Sequence, residues 1–466
     1  MTALLALLLA GGLLVWFMRL ERSGRSVTVI AFLLALVIAE AAIYQSQNEI
    51  PVGLFHPEYR SLSFRLLDIV IPVAILARLL QRARTHPANP TVLLWLALLA
   101  WLATAGFVGA YEGNALTLVG FHGKVIIYLG ALVLAAGVPI EQYLAKGRVE
   151  RFLGWTAALA LALVATDVAN IAITRDLPLL PLQDLGTLGS DAATIFSGLG
   201  ALALAIGLFS AERRGRLLAA AVPLLAAPAV ADQRAAFIAL GLALATVVAG
   251  MLLSGRRVRV TPTEGGLAVA AVAAILLVSA LPGFIGDRPV KLPLQDELTT
   301  TFASYEELLT TRDRLNQWSS ARPLIAERPV LGWGLGKEYI YYDPGHLVFK
   351  QIDLTHNIFG DLLLRSGAAG LALFLLALGT TSIAILRAWW THGDDRVAAF
   401  ALGAAAVVAG LLGKGMAESI FEKYRLAVVL GLGIGAMIAA GIPSRRRSRS
   451  RAPVQAPRRS DAGLAR

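Results

Sequence analysis

Long apolar runs separated by short polar segments make up most of the chain up to about position 440. About twenty apolar residues in a helix are enough to span the hydrocarbon core of a bilayer. By that measure the pattern predicts about thirteen membrane spans. They lie near residues 2–18, 27–45, 62–80, 91–110, 125–141, 152–173, 192–210, 217–231, 235–253, 266–284, 366–388, 396–413 and 426–441. The run at 217–231 is short and contains Pro223 and Pro228, which disfavour a continuous helix there.

Composition supports the same fold class. Of the 466 residues, 57% are hydrophobic and 16% are charged, whereas about 25% of the residues of a soluble domain are charged. We therefore predict an all-α, polytopic membrane helix bundle of about 12–13 spans. The chain has no cysteine, which excludes disulfide bonds, thiolate metal sites and thiol catalysis. The first run lacks a basic leader and a small-residue cleavage site, so we expect a retained span.

The net charge of +11 is concentrated in alternate loops and in the C-terminal tail. Segments such as RLERSGR, AKGRVER and AERRGR are rich in Lys and Arg, which predicts a cytoplasmic location. The intervening loops should then face outward; they are 46–61, 111–124, 174–191, 232–234 and 285–356. Only KGMAESIFEKYR departs from the rule, because it mixes cations with acids on the outer side. No basic–aromatic groove accompanies the charge, so the pattern argues against nucleic acid as a partner and for membrane lipid.

The outer segment 285–356 is too long for a simple connector. Its apolar positions recur at helical spacing, which predicts helices that lie over the bundle. These positions are Leu298, Phe302, Leu308, Leu309, Leu315, Trp318, Leu324 and Ile325. The predicted organisation is therefore an N-terminal transmembrane bundle at 1–284, an outer-face helical loop at 285–356, C-terminal transmembrane helices at 357–442 and a disordered basic cytoplasmic tail at 443–466.

Arginines on the outer face are candidates for anion binding, because the guanidinium fork matches phosphate oxygens. Arg234 lies at the outer end of a predicted span; alternatively, it extends to the headgroups or pairs with Asp232. Arg312 and Arg314 lie in the segment TTRDRLNQW, and Arg314 shares a helix face with Trp318. The alternative here is a cation–π or ion pair on a solvated helix.

His356 is a candidate general base. It lies at the boundary between the outer loop and a span, next to Asn357 and close to Asp353. Neutral imidazole has a pKa near operating pH and can accept a proton from a hydroxyl nucleophile. We expect Asp353 or Asn357 to fix its tautomer, although a boundary histidine is often purely structural.

No metal-binding motif of convincing spacing is present on the outer face. Gly332, Gly334 and Gly336 do not follow a strand in a βαβ unit, which argues against a dinucleotide site. One base and several cations on one side of a membrane suit a metal-free displacement with a polyanionic leaving group.

Four segments, in this order, resemble one protein family. They are DQRAAFIAL from Asp232, RLNQW from Arg314, RPVLGWGLGKEY from Arg328, and HNIFGDLLLRSGAAGL from His356. Together they are similar to the O-antigen ligase and O-antigen polymerase superfamily of bacterial envelope proteins. The resemblance is strongest over residues 230–375.

The resemblance implies a helical membrane enzyme of the bacterial cytoplasmic membrane, with its active site on the periplasmic or outer face. Such enzymes move a glycan from an undecaprenyl-pyrophosphate donor to a glycan or lipid-glycan acceptor without cofactor or metal. By this resemblance Arg234 and Arg314 bind the pyrophosphate of the donor, and His356 is the general base. Further substrate-binding candidates are Arg312, Trp318, Asn357, Lys124, Arg175 and Glu418; headgroup contact or helix-end pairing is the alternative for the last three.

Three functions remain possible at this point. The first is an O-antigen ligase-like glycosyltransferase, and the second is a repeat-unit polymerase of the same superfamily. The third is a transporter or flippase for lipid-linked substrates, which the number of spans would also serve. Transporters often have polar groups at mid-membrane and internal repeats, whereas here the polar groups gather at one face.

Overall fold

The computed structural model describes residues 2–43, 58–59, 62–63, 66–82, 89–174, 188–209, 213–229, 234–253, 283–285, 288–290, 305–391, 394–421 and 423–441. These residues are predominantly α-helical, which confirms the predicted all-α membrane fold. In the described part of the chain, eight helices are long and apolar enough to cross a membrane. They are Pro90–Tyr111, Leu116–Ala136, Arg148–Thr166, Ser190–Phe209, Ala235–Leu253, Ile358–Trp390, Asp395–Ala417 and Tyr424–Gly441.

The helices of the first half are α1 (Thr2–Arg22), α2 (Ser26–Ile43), α3 (Leu66–Arg82), α4 (Pro90–Tyr111), α5 (Leu116–Gly130), α6 (Leu132–Ala136), α7 (Ile140–Leu144), α8 (Arg148–Thr174), α9 (Ser190–Phe209), α10 (Arg214–Ala226) and α11 (Arg234–Leu253). Those that follow are α12 (Tyr305–Glu327), α13 (Ile358–Thr391), α14 (Asp395–Ala417) and α15 (Tyr424–Gly441). The antiparallel strand pairs are β1 (Glu58–Tyr59) with β2 (Leu62–Ser63), β3 (Gly283–Ile285) with β4 (Arg288–Val290), and β5 (Tyr339–Asp343) with β6 (Val348–Ile352).

Most predicted spans coincide with helices, but the boundaries of one were wrong. The span predicted at 125–141 begins at Leu116, so most of the predicted outer loop 111–124 is helical. The polar residues His122 and Lys124 led to the prediction of a loop here. Both side chains instead have partners inside the protein, which allows this stretch to be helical.

Two other predicted spans have different outcomes. The run at 217–231 forms the short helix α10 and a 3-10 turn at Ala227–Ala229, and it is not among the eight long helices. Residues 266–282 of the run at 266–284 lie outside the described residues.

Helices α9, α14 and α15 form the centre of the bundle, with more than four-fifths of their spanning residues buried. Small residues allow this close packing. A Cβ at Gly198 would lie 3.4 Å from the backbone of Val407, so α9 and α14 approach almost backbone to backbone. The centre of the bundle therefore holds the ends of these helices in fixed positions.

Charged contacts distinguish the two ends of the bundle. At one end, Arg396 at the start of α14 pairs with Glu150 at the start of α8, and Arg213 lies against Gly147. We call this the basic end. At the opposite end α14 terminates, and α9, α13 and α15 begin. We call this the site end, because His356 lies there.

The segment before α13 contains the predicted helix and also a hairpin. Helix α12 confirms the helical spacing, but β5 and β6 pair antiparallel with Tyr341 opposite Lys350. The sequence prediction of a helical outer loop did not include this hairpin. Tyr339 and Tyr341 face inward and pack with Ala321 of α12 and Leu364 of α13. The hairpin, α12 and the start of α13 thus form one packed unit.

Helix α13 is interrupted at Gly367, where φ is +65°. The segment 329–334 runs beside the break and replaces the missing helical hydrogen bonds. The Trp333 N–H donates to the Leu364 carbonyl (2.9 Å), and the Ala368 N–H donates to the Pro329 carbonyl (2.7 Å). Irregular backbone is tolerated at such depth only when its polar groups are satisfied in this way.

Candidate active site

His356 lies in the turn immediately before α13, with a left-handed φ of +48°. The preceding residue fixes this turn. The Thr355 N–H and its hydroxyl both donate to Oδ1 of Asp361, at 2.8 and 3.0 Å. Asp361 is 1% exposed, so the backbone that carries the imidazole is tied to a buried carboxylate.

Asn357 fixes the other side of the same turn. Its Oδ1 accepts hydrogen bonds from the N–H groups of Phe359 (2.9 Å) and Gly360 (3.1 Å), which caps the first turn of α13. Its Nδ2 donates to the carbonyl of Met416, near the end of α14 (3.2 Å). The amide that we predicted to bind substrate is therefore engaged in holding two helix ends together.

A hydrogen-bonded chain from α12 orients the ring of His356. Its Nδ1 lies 2.7 Å from Oε1 of Gln317, and Nε2 of Gln317 donates to Oδ2 of Asp313 (2.8 Å). A carboxylate only accepts, so this contact assigns the Gln317 nitrogen to Asp313 and its oxygen to the imidazole. His356 must then carry its proton on Nδ1, which leaves the lone pair of Nε2 for another group.

Two features keep the His356 ring neutral. Burial lowers its pKa below the usual value, and the cation of Arg314 lowers the pKa further. Asp361, Asp313 and Glu418 act in the opposite direction but do not reverse the shift. No described residue forms a hydrogen bond with Nε2. The ring can therefore accept a proton at that atom.

Helix α12 is positioned over His356 by its tryptophan. A Cβ on Gly360 would lie 2.5 Å from the ring of Trp318, so the indole packs directly on the first turn of α13. Arg314, one turn earlier, is exposed yet close enough to affect His356 electrostatically. Arg312 is also exposed. The structure thus brings Arg314, Trp318 and His356 together.

The expected partnership between His356 and Asp353 was wrong. Oδ2 of Asp353 lies 3.1 Å from Nε2 of His122 in α5, while the Gly336 N–H donates to Nδ1 of that ring (3.0 Å). The hydrogen bond from His122 lowers the pKa of Asp353. Arg365 donates to the carbonyl of Asp353 (2.5 Å). His122, which we expected in an outer loop, is buried and links α5 to the segment before His356.

A cluster of charges occupies the site end next to this turn. The amine of Lys414 is fully buried; it contacts the hydroxyl of Ser190 and lies 3.1 Å from Oδ1 of Asp191. Lys423 binds Glu418 at 2.5 Å, and Lys414 lies 3.6 Å from the same carboxylate. Burial alone would raise the pKa of Glu418, but the two lysines together lower it. Glu418 therefore balances these cations, and its charge also acts on His356.

Aromatic residues extend this cluster across the bundle. The guanidinium of Arg425 lies 3.5 Å from Asp191 and stacks on the ring of Tyr424. The hydroxyl of Tyr128 donates to Asp68, which also binds the amine of Lys124 at 2.8 Å. Lys124 was expected on an outer loop, but it lies within α5.

Two predicted arginines are only partly accounted for. Arg175 lies outside the described residues. Arg234 is the first residue of α11, whose side-chain position is not described. In α11, Ile238 lies near Gly413 of α14, and Gly250 near Leu402, so the two helices are antiparallel. The backbone of Arg234 is therefore at the site end.

Gln317 and His122 are the polar residues that sequence reasoning missed. Gln317 lies between Arg314 and Trp318 in the quoted RLNQW segment, so helical spacing from Asp313 could have identified it. His122 gave no local signal, because both of its partners come from residues more than two hundred positions later.

The fold and the site together define a polytopic helical membrane protein with an oriented histidine and nearby cations at one end of its bundle. Residues 199–375 match the family model described as O-Antigen ligase. The matched segment extends from α9 past the break in α13, contains Gln317 and His356, and is similar to the O-antigen ligase and polymerase superfamily. The match confirms the predicted resemblance and supports a membrane glycosyltransferase of the ligase or polymerase type. No curated protein matches the chain.

Proposed function

We propose that the protein transfers a glycan from an undecaprenyl-pyrophosphate donor to a hydroxyl group of a glycan or lipid-glycan acceptor. The observation that carries this proposal is the orientation of His356. Gln317 holds the proton on Nδ1, so the lone pair of Nε2 is directed away from α12 and can serve as a general base. Nearby Arg314 supplies positive charge where a pyrophosphate would leave.

In the proposed step the acceptor oxygen attacks the anomeric carbon of the donor sugar. The bond between that carbon and the pyrophosphate oxygen breaks, and its electron pair leaves with undecaprenyl pyrophosphate. The acceptor proton moves to Nε2 of His356. In-line attack inverts the anomeric centre. Arg314 and Arg234 stabilise the negative charge that builds on the leaving group.

The other predicted residues have supporting roles in this scheme. Arg312, Arg175 and Lys124 are further candidates for contact with the donor, and Trp318 anchors α12 over the sugar. Asn357 and Glu418 hold the site end through their contacts with Met416 and Lys423. The segment 285–356 closes over the bundle formed by 1–284 and 357–442, excluding water that would hydrolyse the donor.

The proposed orientation in the membrane follows the distribution of charge. The basic end faces the cytoplasm together with the tail 443–466, and the site end faces the periplasmic or outer side of the cytoplasmic membrane. A ligase and a repeat-unit polymerase differ in the acceptor and not in these residues.

The test is release of undecaprenyl pyrophosphate by the purified protein in vesicles that contain the lipid-linked glycan and an acceptor. The variant His356→Ala should lose about 10²–10⁴-fold in rate, the range expected for a general base, while it still binds the donor. The matched control is His346→Ala, because that ring is 71% exposed in the β5–β6 turn. Full activity of His356→Ala would show that His356 is not the base. Loss of glycan transfer when EDTA removes metal ions would contradict the metal-free mechanism.

A further inference from the structure

An apolar cavity lies in the half of the bundle toward the basic end, far from His356 along the helices. Its volume is about 430 Å³, which falls within the usual range for ligand pockets. Helices α2 and α8 form its sides, and α9, α14 and α15 form its back. The lining is almost entirely aliphatic and aromatic, as represented by Ile30, Leu34, Phe152, Leu202 and Leu432.

Two arginines stand at one end of this apolar cavity. Arg148 and Arg151 both line it and both belong to the first turn of α8. Trp155, one turn further on the same face as Arg151, lines it as well and is 78% exposed. Indole rings lie preferentially at the headgroup level of a bilayer. The charge and the indole therefore mark the boundary between headgroups and acyl chains.

We propose that this cavity binds a phospholipid with an anionic headgroup. The phosphate would lie between Arg148 and Arg151, since guanidinium groups pair well with phosphate oxygens. One acyl chain would lie in the apolar cavity, where its burial is favourable. A free phosphate ion would leave this lining unused, and a zwitterionic lipid would gain less from the two arginines.

The proposal is independent of the proposed glycan transfer. Helix α8 begins at the basic end, where Arg213 and Arg396 also lie, whereas His356 is at the site end. Basic pockets between helices bind anionic headgroups on the side of the membrane that carries them. The bound lipid would bridge α2 and α8 and stabilise the fold by mass action.

The experiment compares phosphatidylglycerol with phosphatidylcholine of identical acyl chains, added to the delipidated protein in detergent and counted by native mass spectrometry. The wild-type chain should retain one phosphatidylglycerol in preference to phosphatidylcholine. The double variant Arg148→Gln, Arg151→Gln should bind phosphatidylglycerol about thirty-fold more weakly, since each basic residue near a membrane surface contributes about 1 kcal/mol.

The matched control is Arg216→Gln, an exposed arginine at the same end that does not line the cavity. It should bind phosphatidylglycerol as the wild type does. Equal retention of the two lipids by the wild type, or an equal loss in the Arg216 variant, would overturn the proposal.

A second variant tests the apolar part without changing charge. Ala31→Phe places a ring in the cavity from α2, whereas Ala35→Phe places the same ring one turn away on an exposed surface. Only Ala31→Phe should reduce retention of phosphatidylglycerol. Glycerol 3-phosphate, which has the headgroup chemistry but no chain, should not compete. Competition by that soluble molecule, or equal effects of the two phenylalanines, would contradict a lipid site.

Discussion

Nδ1 of His356 lies 2.7 Å from Oε1 of Gln317, a residue thirty-nine positions earlier in helix α12. The contact joins the turn before α13 to α12, and it determines which ring nitrogen carries the proton. Gln317 is 1% exposed, so this orientation is held within the protein and not by solvent. Gln317 is therefore a positioning residue in the proposed mechanism.

The variant Gln317→Glu should shift the pH dependence of glycan transfer. A carboxylate beside Nδ1 stabilises the imidazolium and raises the pKa of His356. The base then becomes protonated at a higher pH, so the acid limb of the rate profile should shift to higher pH. The measurement is kcat against pH, with the exposed Gln351→Glu as the control. Identical acid limbs in the wild type and Gln317→Glu would contradict the positioning role.

The variant Arg314→Gln should move the same limb in the same direction for a different reason. The Arg314 cation lowers the pKa of His356, so its removal lets that pKa rise. The wild type should remain active somewhat below the usual histidine pKa of about 6.5, and the variant should lose activity earlier as pH falls. Donor affinity should weaken as well. Arg322→Gln, an exposed arginine on the same helix, should leave both the pH profile and the affinity unchanged.

The contact between His122 and Asp353 should be measurable as a coupling energy. Single variants His122→Ala and Asp353→Ala each leave a polar group without its partner in this contact, so each should destabilise the protein. The double variant should be less destabilised than the sum, with a coupling of about 0.5–3 kcal/mol. Thermal unfolding in detergent provides the measurement. Strict additivity would mean that the 3.1 Å contact contributes nothing to stability.

Gly367→Ala should destabilise the fold, because a Cβ at this position would overlap the carbonyl of Val330 and the backbone requires a φ of +65°. A residue forced into such a conformation costs about 1–3 kcal/mol. Gly379→Ala is the matched control on the same helix, since a Cβ there meets nothing within 4 Å. It should be neutral or slightly stabilising. Equal melting temperatures of the two variants would contradict the assigned role of the break.

The sequence predicted the elements that depend on local patterns and missed those that depend on distant partners. Apolar runs give helices because a helix satisfies its own backbone groups in lipid. The position of α5 was misjudged because His122 and Lys124 appear exposed until Asp353 and Asp68 are placed beside them. No pattern within α5 encodes those carboxylates.

The hairpin β5–β6 could have been predicted. In β5, Tyr339, Tyr341 and Asp343 face inward and the residues between them face outward, which is the alternation of a strand. At the site, the histidine and Arg314 were identifiable as residue types at a boundary. The sequence could not show that Gln317 and not Asp353 is the partner of His356, because this depends on how α12 packs through Trp318 onto Gly360.

The left-handed backbone of His356 has a consequence for organisms that carry a damaged copy of this gene. Asparagine and glycine accept such a φ more readily than histidine does, so replacing His356 by either should relieve strain while removing the base. Loss of the hydrogen bond to buried Gln317 offsets part of this gain, so the resulting protein should still fold and reach the membrane. If the proposed glycan transfer holds, an inactive but well-folded copy would still bind the donor lipid, and it should compete with its active counterpart for that lipid.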